Sequence, residues 1–150
     1  MCRVIGDASI GEAGTKRGIS VAGSTRASGI WRILTGILLI VVALFHLYLV
    51  IVAHVGGTLG VLFVLQAIAA VVLTVALFVT RGRLRAVATV LSLLFLIGSL
   101  AALLLALTVG FFGITEVWTF TLVPATVVVE AIGIVVAAIT TAVVLRRRSV

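Results

Sequence analysis

Long apolar runs and short charged marks alternate along this chain. Residues 33–80 contain no Asp, Glu, Lys or Arg in 48 positions. One bilayer-spanning helix takes ~20 residues, so this block is too long for one span and fits two joined by a tight turn. Between Arg32 and Arg146 only five Asp, Glu, Lys or Arg residues occur: Arg81, Arg83, Arg85, Glu116 and Glu130. Four of them fall where apolar runs stop. Glu130 falls inside one.

The punctuation predicts four spans, at about 33–53, 59–80, 86–109 and 122–145. His54-Val55-Gly56-Gly57-Thr58 forms the first turn, because paired glycines interrupt a helix. Arg81-Gly82-Arg83-Leu84-Arg85 forms a short basic loop. Gly110-Phe111-Phe112-Gly113 ends the third span, and 114–121 is an aromatic, Thr-rich connection with Glu116 and Trp118. Pro124 suits the first turn of the fourth span, where a missing N–H costs nothing. Barrel strands would alternate apolar and polar over ~10 residues. Continuous apolar runs exclude that, and short connections make the expected fold an all-α, antiparallel four-helix transmembrane bundle. The membrane domain is 31–148. Residues 1–30, rich in Gly, Ser, Thr and Ala with Arg3, Lys16, Arg17 and Arg26, read as a flexible basic cytoplasmic tail.

Composition agrees with lipid as the solvent. The chain is 63% hydrophobic and 10% charged, with mean hydropathy +1.47; soluble domains run ~25% charged. A net charge of +7 raises nucleic acid as a partner. The basic residues flank apolar spans, however, so they read as topology signals, with no nucleic-acid role. All 11 Lys and Arg lie in the N-terminal segment, the second loop and the C-terminus. That bias predicts a multi-pass cell-membrane protein with both termini and Arg81, Arg83 and Arg85 in the cytoplasm. Those three arginines also suit anionic lipid head groups, at ~1 kcal/mol per basic residue. Cys2 is the only cysteine. It supports neither an internal disulfide nor a cysteine metal site, and only Met1 precedes it, unlike a lipoprotein cysteine. Residues 1–29 lack a signal-peptide apolar core. The abundance of Arg, Ala, Val, Leu and Gly is that of a GC-rich bacterium.

Depth along the spans isolates the candidate chemistry. Glu130 follows Leu122 by eight residues, His46 precedes His54 by eight, and Gln66 follows Thr58 by eight. At 1.5 Å per residue each lies ~12 Å below the same membrane face, with Ser99 slightly deeper. An acid at mid-membrane costs roughly 2.5–3.5 kcal/mol, so Glu130 requires a partner or a task. The structural alternative has Glu130 sharing hydrogen bonds with His46 and Gln66, tying helices one, two and four. The functional alternative is a proton-handling or ligand-binding layer of His46, Gln66, Ser99 and Glu130. Phe45, Tyr48 and Phe63 lie at the same level, as packing or cavity wall. No metal site is expected, since one His and one carboxylate make a poor site. No cofactor is expected either: His46 and His54 share a helix, ~12 Å apart in rise and ~80° apart in direction, and cannot clamp one haem iron. His54 and Glu116 sit on the outer rim as solvated loop residues. No catalytic set is present, so the chain is not expected to be an enzyme.

Several short motifs carry a resemblance: His46-Leu47-Tyr48, Gly60-Val61-Leu62-Phe63-Val64-Leu65-Gln66, Gly110 to Glu116, and Glu130-Ala131. Over 31–145 their order resembles small four-span integral membrane proteins of actinobacteria that carry no assigned activity. Small multidrug exporters also have four spans and a membrane glutamate, but theirs resembles a first-helix acid, whereas Glu130 lies in the fourth. Small residues at Thr35-Gly36, Gly56, Gly57, Gly60, Gly98-Ser99 and Gly133 allow close helix packing. Two functional expectations follow. The first is an accessory, scaffold or self-associating membrane subunit, with the bilayer, a further copy or a larger complex as partner. The second is a small proton-coupled transporter or ligand-binding protein built on the polar layer.

Overall fold

A computed structural model describes residues 10–110, 115, 117–120 and 122–146, with backbone alone for 10–27. Four helices run through these residues: α1 (Ile10–Ile51), α2 (Gly57–Val79), α3 (Gly82–Thr108) and α4 (Val123–Arg146). No strand occurs among the described residues. All four are long and apolar enough to cross a membrane, α1 through its segment Ser28–Ile51. The protein is an integral membrane protein built as a four-helix antiparallel bundle.

One helix boundary departs from the sequence expectation. The α1 helix begins at Ile10, and its segment of membrane-spanning length and apolarity is Ser28–Ile51. Residues 1–9 lie outside the described residues, as does Glu116. The expected basic loop 81–85 is shorter: only Thr80 and Arg81 separate α2 from α3. Gly82, at φ +55°, lets the chain reverse within that length. Arg83 and Arg85 therefore ride on the first turn of α3, and the Arg85 Nε donates to the Thr80 carbonyl at 3.0 Å.

The helices neighbour one another in cyclic order. The α1–α2, α3–α4 and α1–α4 seams are well packed, and the α2–α3 seam is the sparsest. Leu39, Val42, Leu77, Ala88, Leu96 and Ala137 form the core between them. Close approach at the α1–α2 seam requires Gly36: a Cβ there would lie 2.7 Å from the Phe78 ring. On the α3–α4 seam the Leu96 side chain fills the notch over Gly133, where a Cβ would meet it at 3.2 Å.

Near the arginine end, hydroxyl groups join helices. Thr35 and Thr140 share a hydrogen bond of 2.8 Å between α1 and α4. Thr140 also reaches the Trp31 carbonyl at 3.0 Å, and Thr141 donates to the Thr89 carbonyl of α3 at 3.3 Å. Arg32 donates from Nη2 to the Leu77 carbonyl at 2.9 Å and lies 5.7 Å from the Phe78 ring centre. A cation at the carbonyl end of α2 opposes the helix dipole favourably.

Candidate functional site

The other half of the bundle, toward the His54 turn, holds a cavity of about 130 Å³. All four helices contribute to it: His46 and Leu49 from α1, Leu62, Phe63 and Gln66 from α2, Ser99, Ala102 and Leu103 from α3, and Thr126 and Glu130 from α4. Phe120, from the connection before α4, also lines it. No Lys or Arg lines it among the described residues.

Counting from the observed helix ends refines the depths. Gln66 lies nine residues into α2 and Ser99 nine before the end of α3, each ~13.5 Å deep; Glu130 lies seven into α4, at ~10.5 Å. His46 is only five residues before the end of α1, ~7.5 Å deep. The four residues thus span about one helical turn in depth, with Glu130 midway between the Gln66/Ser99 level and His46.

The direction each side chain takes around its helix decides the bonding. Gln66 donates from Nε2 to the Ser99 hydroxyl, and Ser99 donates to Glu130 Oε1. The relay runs from α2 through α3 to α4. The expected direct sharing of Glu130 with His46 and Gln66 is replaced by this chain through Ser99. Ser99 faces Glu130 across the α3–α4 seam, while His46 has turned to its own helix. The His46 Nδ1 lies 2.8 Å from the Val42 carbonyl. A carbonyl only accepts, so Nδ1 carries the hydrogen and Nε2 of the neutral ring is left as an acceptor. The ring also packs edge-on against Phe63, with centroids 5.2 Å apart.

Glu130 is fully buried (0% exposed), and its second oxygen, Oε2, has no hydrogen-bond partner among the described residues. A buried polar atom without a partner costs about 1–3 kcal/mol, more if charged. It is the strongest chemical feature of the cavity.

The remaining candidates lie elsewhere. His54 is exposed in the first turn at φ +54°. Arg81, Arg83 and Arg85 gather at the opposite end of the bundle. Of the three aromatics read at the polar layer, Phe63 lines the cavity; Tyr48 is 42% exposed and Phe45 half-buried, both away from it. Thr126 was not singled out in the sequence, since a Thr is common in apolar helices; Phe120 reads there only as an interfacial aromatic, because its place at the cavity depends on how the connection folds back. Among the described residues no cluster of three His, Cys, Asp or Glu forms a metal-binding group.

Comparison with protein-family models, with curated proteins and with solved structures finds no match for this chain. The resemblance to small four-span actinobacterial proteins therefore rests on the short motifs alone.

Proposed function

We propose that this protein is a non-enzymatic membrane protein that binds a small, mostly apolar molecule in the cavity between its four helices. The bound molecule and a proton at Glu130 are handled together. One observation carries the reading: Glu130 is among the residues that line a cavity large enough for a guest, and one oxygen of its buried carboxyl has no hydrogen-bond partner among the described residues. A purely structural glutamate would have both oxygens engaged, because a half-satisfied buried network is costlier than an apolar one. The α2–α3 seam is the sparsest of the four, and Gln66 and Ser99 bridge it. The arginine bias supports placing this cavity in the outer half of the cell membrane, with both termini cytoplasmic.

The test is binding of benzene to the protein in nanodiscs, measured by saturation-transfer NMR against empty nanodiscs. The wild type is expected to bind. Ala102→Phe, which adds a ring at the wall, is expected to lose binding while keeping its thermal stability. Equal binding by both proteins, or none by the wild type, would sink the reading.

A second reading, a scaffold or self-associating subunit, draws on Gly98. It is exposed on α3, and a Cβ there would meet nothing within 4 Å. Small residues on lipid-facing surfaces let another helix approach closely. Cross-linking in lipid that yields only monomer counts against it.

A further inference from the structure

We propose that the occupant of the cavity is a neutral molecule carrying one hydroxyl on a compact apolar body, such as a phenol, with that hydroxyl bound to Glu130 Oε2. The inference rests on the cavity being a binding site and adds the chemical class of its ligand.

Size sets the body. The cavity is about 130 Å³, close to the ~150 Å³ apolar cavity that holds one benzene molecule. Leu49, Leu62, Phe63, Leu103 and Phe120 give it a mostly apolar wall, so the guest is mostly hydrocarbon and about the size of one six-membered ring.

The polar groups set the handle. The Gln66 amide nitrogen is engaged with Ser99, and the Ser99 hydroxyl with Glu130 Oε1. The groups left for a guest are Glu130 Oε2, the His46 Nε2 acceptor, the Thr126 hydroxyl, and the Oε1 and second amide hydrogen of Gln66, of which Glu130 Oε2 is the fully buried one. A hydroxyl matches Oε2 in either protonation state: it donates to a bare carboxylate oxygen and accepts from an acid O–H. An ether or ketone only accepts, so it fits one state alone. A carboxylate or phosphate ligand would meet no Lys or Arg there. An ammonium would be paired only by a bare Glu130 carboxylate, and beside the neutral acid its charge would stand unpaired among Leu and Phe, which is costly. A hydroxyl also asks for one partner at the place where one oxygen lacks one.

The experiment compares benzene, phenol, anisole and benzylamine with the full-length protein in nanodiscs, by saturation-transfer NMR and calorimetry. Affinities are referred to the lipid-phase concentration of each compound, with empty nanodiscs subtracted. Phenol is expected to bind about tenfold tighter than benzene or anisole, the size of one well-made hydrogen bond. In Glu130→Leu the phenol-to-benzene ratio is expected to fall to about one. The wild-type ratio requires no variant to fold, so the hydroxyl class is tested without one. Phenol and benzene binding equally would overturn the hydroxyl class while leaving the cavity reading intact. Tighter binding of benzylamine than of phenol would overturn it in favour of a cationic guest. Binding of none of the four would instead overturn the cavity reading itself. A phenol preference that persists in Glu130→Leu would remove Glu130 as the group that reads the ligand.

Discussion

Ser99 on α3 donates its hydroxyl hydrogen to Glu130 Oε1 on α4 while accepting one from Gln66 on α2. One small side chain thus couples three helices at the level of the cavity. Its position on the sparse α2–α3 seam makes the coupling measurable, because few other contacts hold that seam. In a double-mutant cycle of Gln66→Leu and Ser99→Ala, unfolding in bicelles is expected to show a coupling of ~0.6 kcal/mol, the average for membrane hydrogen bonds. Strict additivity would mean that the bridge contributes nothing.

Gly36 and Phe78 make a second prediction, about packing alone. A Cβ at Gly36 would overlap the Phe78 ring at 2.7 Å, so Gly36→Ala is expected to destabilise the bundle by ~1–3 kcal/mol, the usual cost of overpacking. Phe78→Leu in the same chain should recover most of that loss. The two variants and their combination are compared by thermal unfolding in detergent. A loss that Phe78→Leu does not relieve would place the strain elsewhere.

The two ends of the bundle differ in what their polar groups do, and Thr140 tests that difference. Thr140 bonds Thr35 and the Trp31 carbonyl across the α1–α4 seam, far from the cavity. Thr140→Val keeps shape and removes the hydroxyl. It is expected to cost ~0.5–1.5 kcal/mol of stability while leaving benzene and phenol binding unchanged. A change in ligand affinity would show that the arginine-end hydroxyls belong to the site.

Topology is tested with single cysteines. After Cys2→Ser, His54→Cys is expected to react with a membrane-impermeant maleimide applied to intact cells. Arg83→Cys should react only after the membrane is opened. The opposite pattern would invert the orientation argued from the arginines and place the cavity in the inner half.

The span count, the helical class and the anomaly of Glu130 were all readable in the chain. The reason is physical: lipid forces each apolar stretch to satisfy its own backbone, so length and charge position suffice. The same rule fails at helix ends, where lipid no longer constrains the chain. There Arg83 and Arg85 joined α3.

The shared polar layer was readable as depth, since rise per residue is fixed. Depth alone does not give direction around a helix axis. Which side chains meet depends on how four helices are turned and pressed together. His46 bonding back to Val42, Ser99 standing between Gln66 and Glu130, and Glu130 Oε2 left without a partner among the described residues were settled only by packing. The chain's own chemistry fixed its solvent, its spans and the one acid that lipid disfavours. The tertiary arrangement chose that acid's partner and the empty place beside it, because helix rotation is decided by contacts between segments distant in sequence.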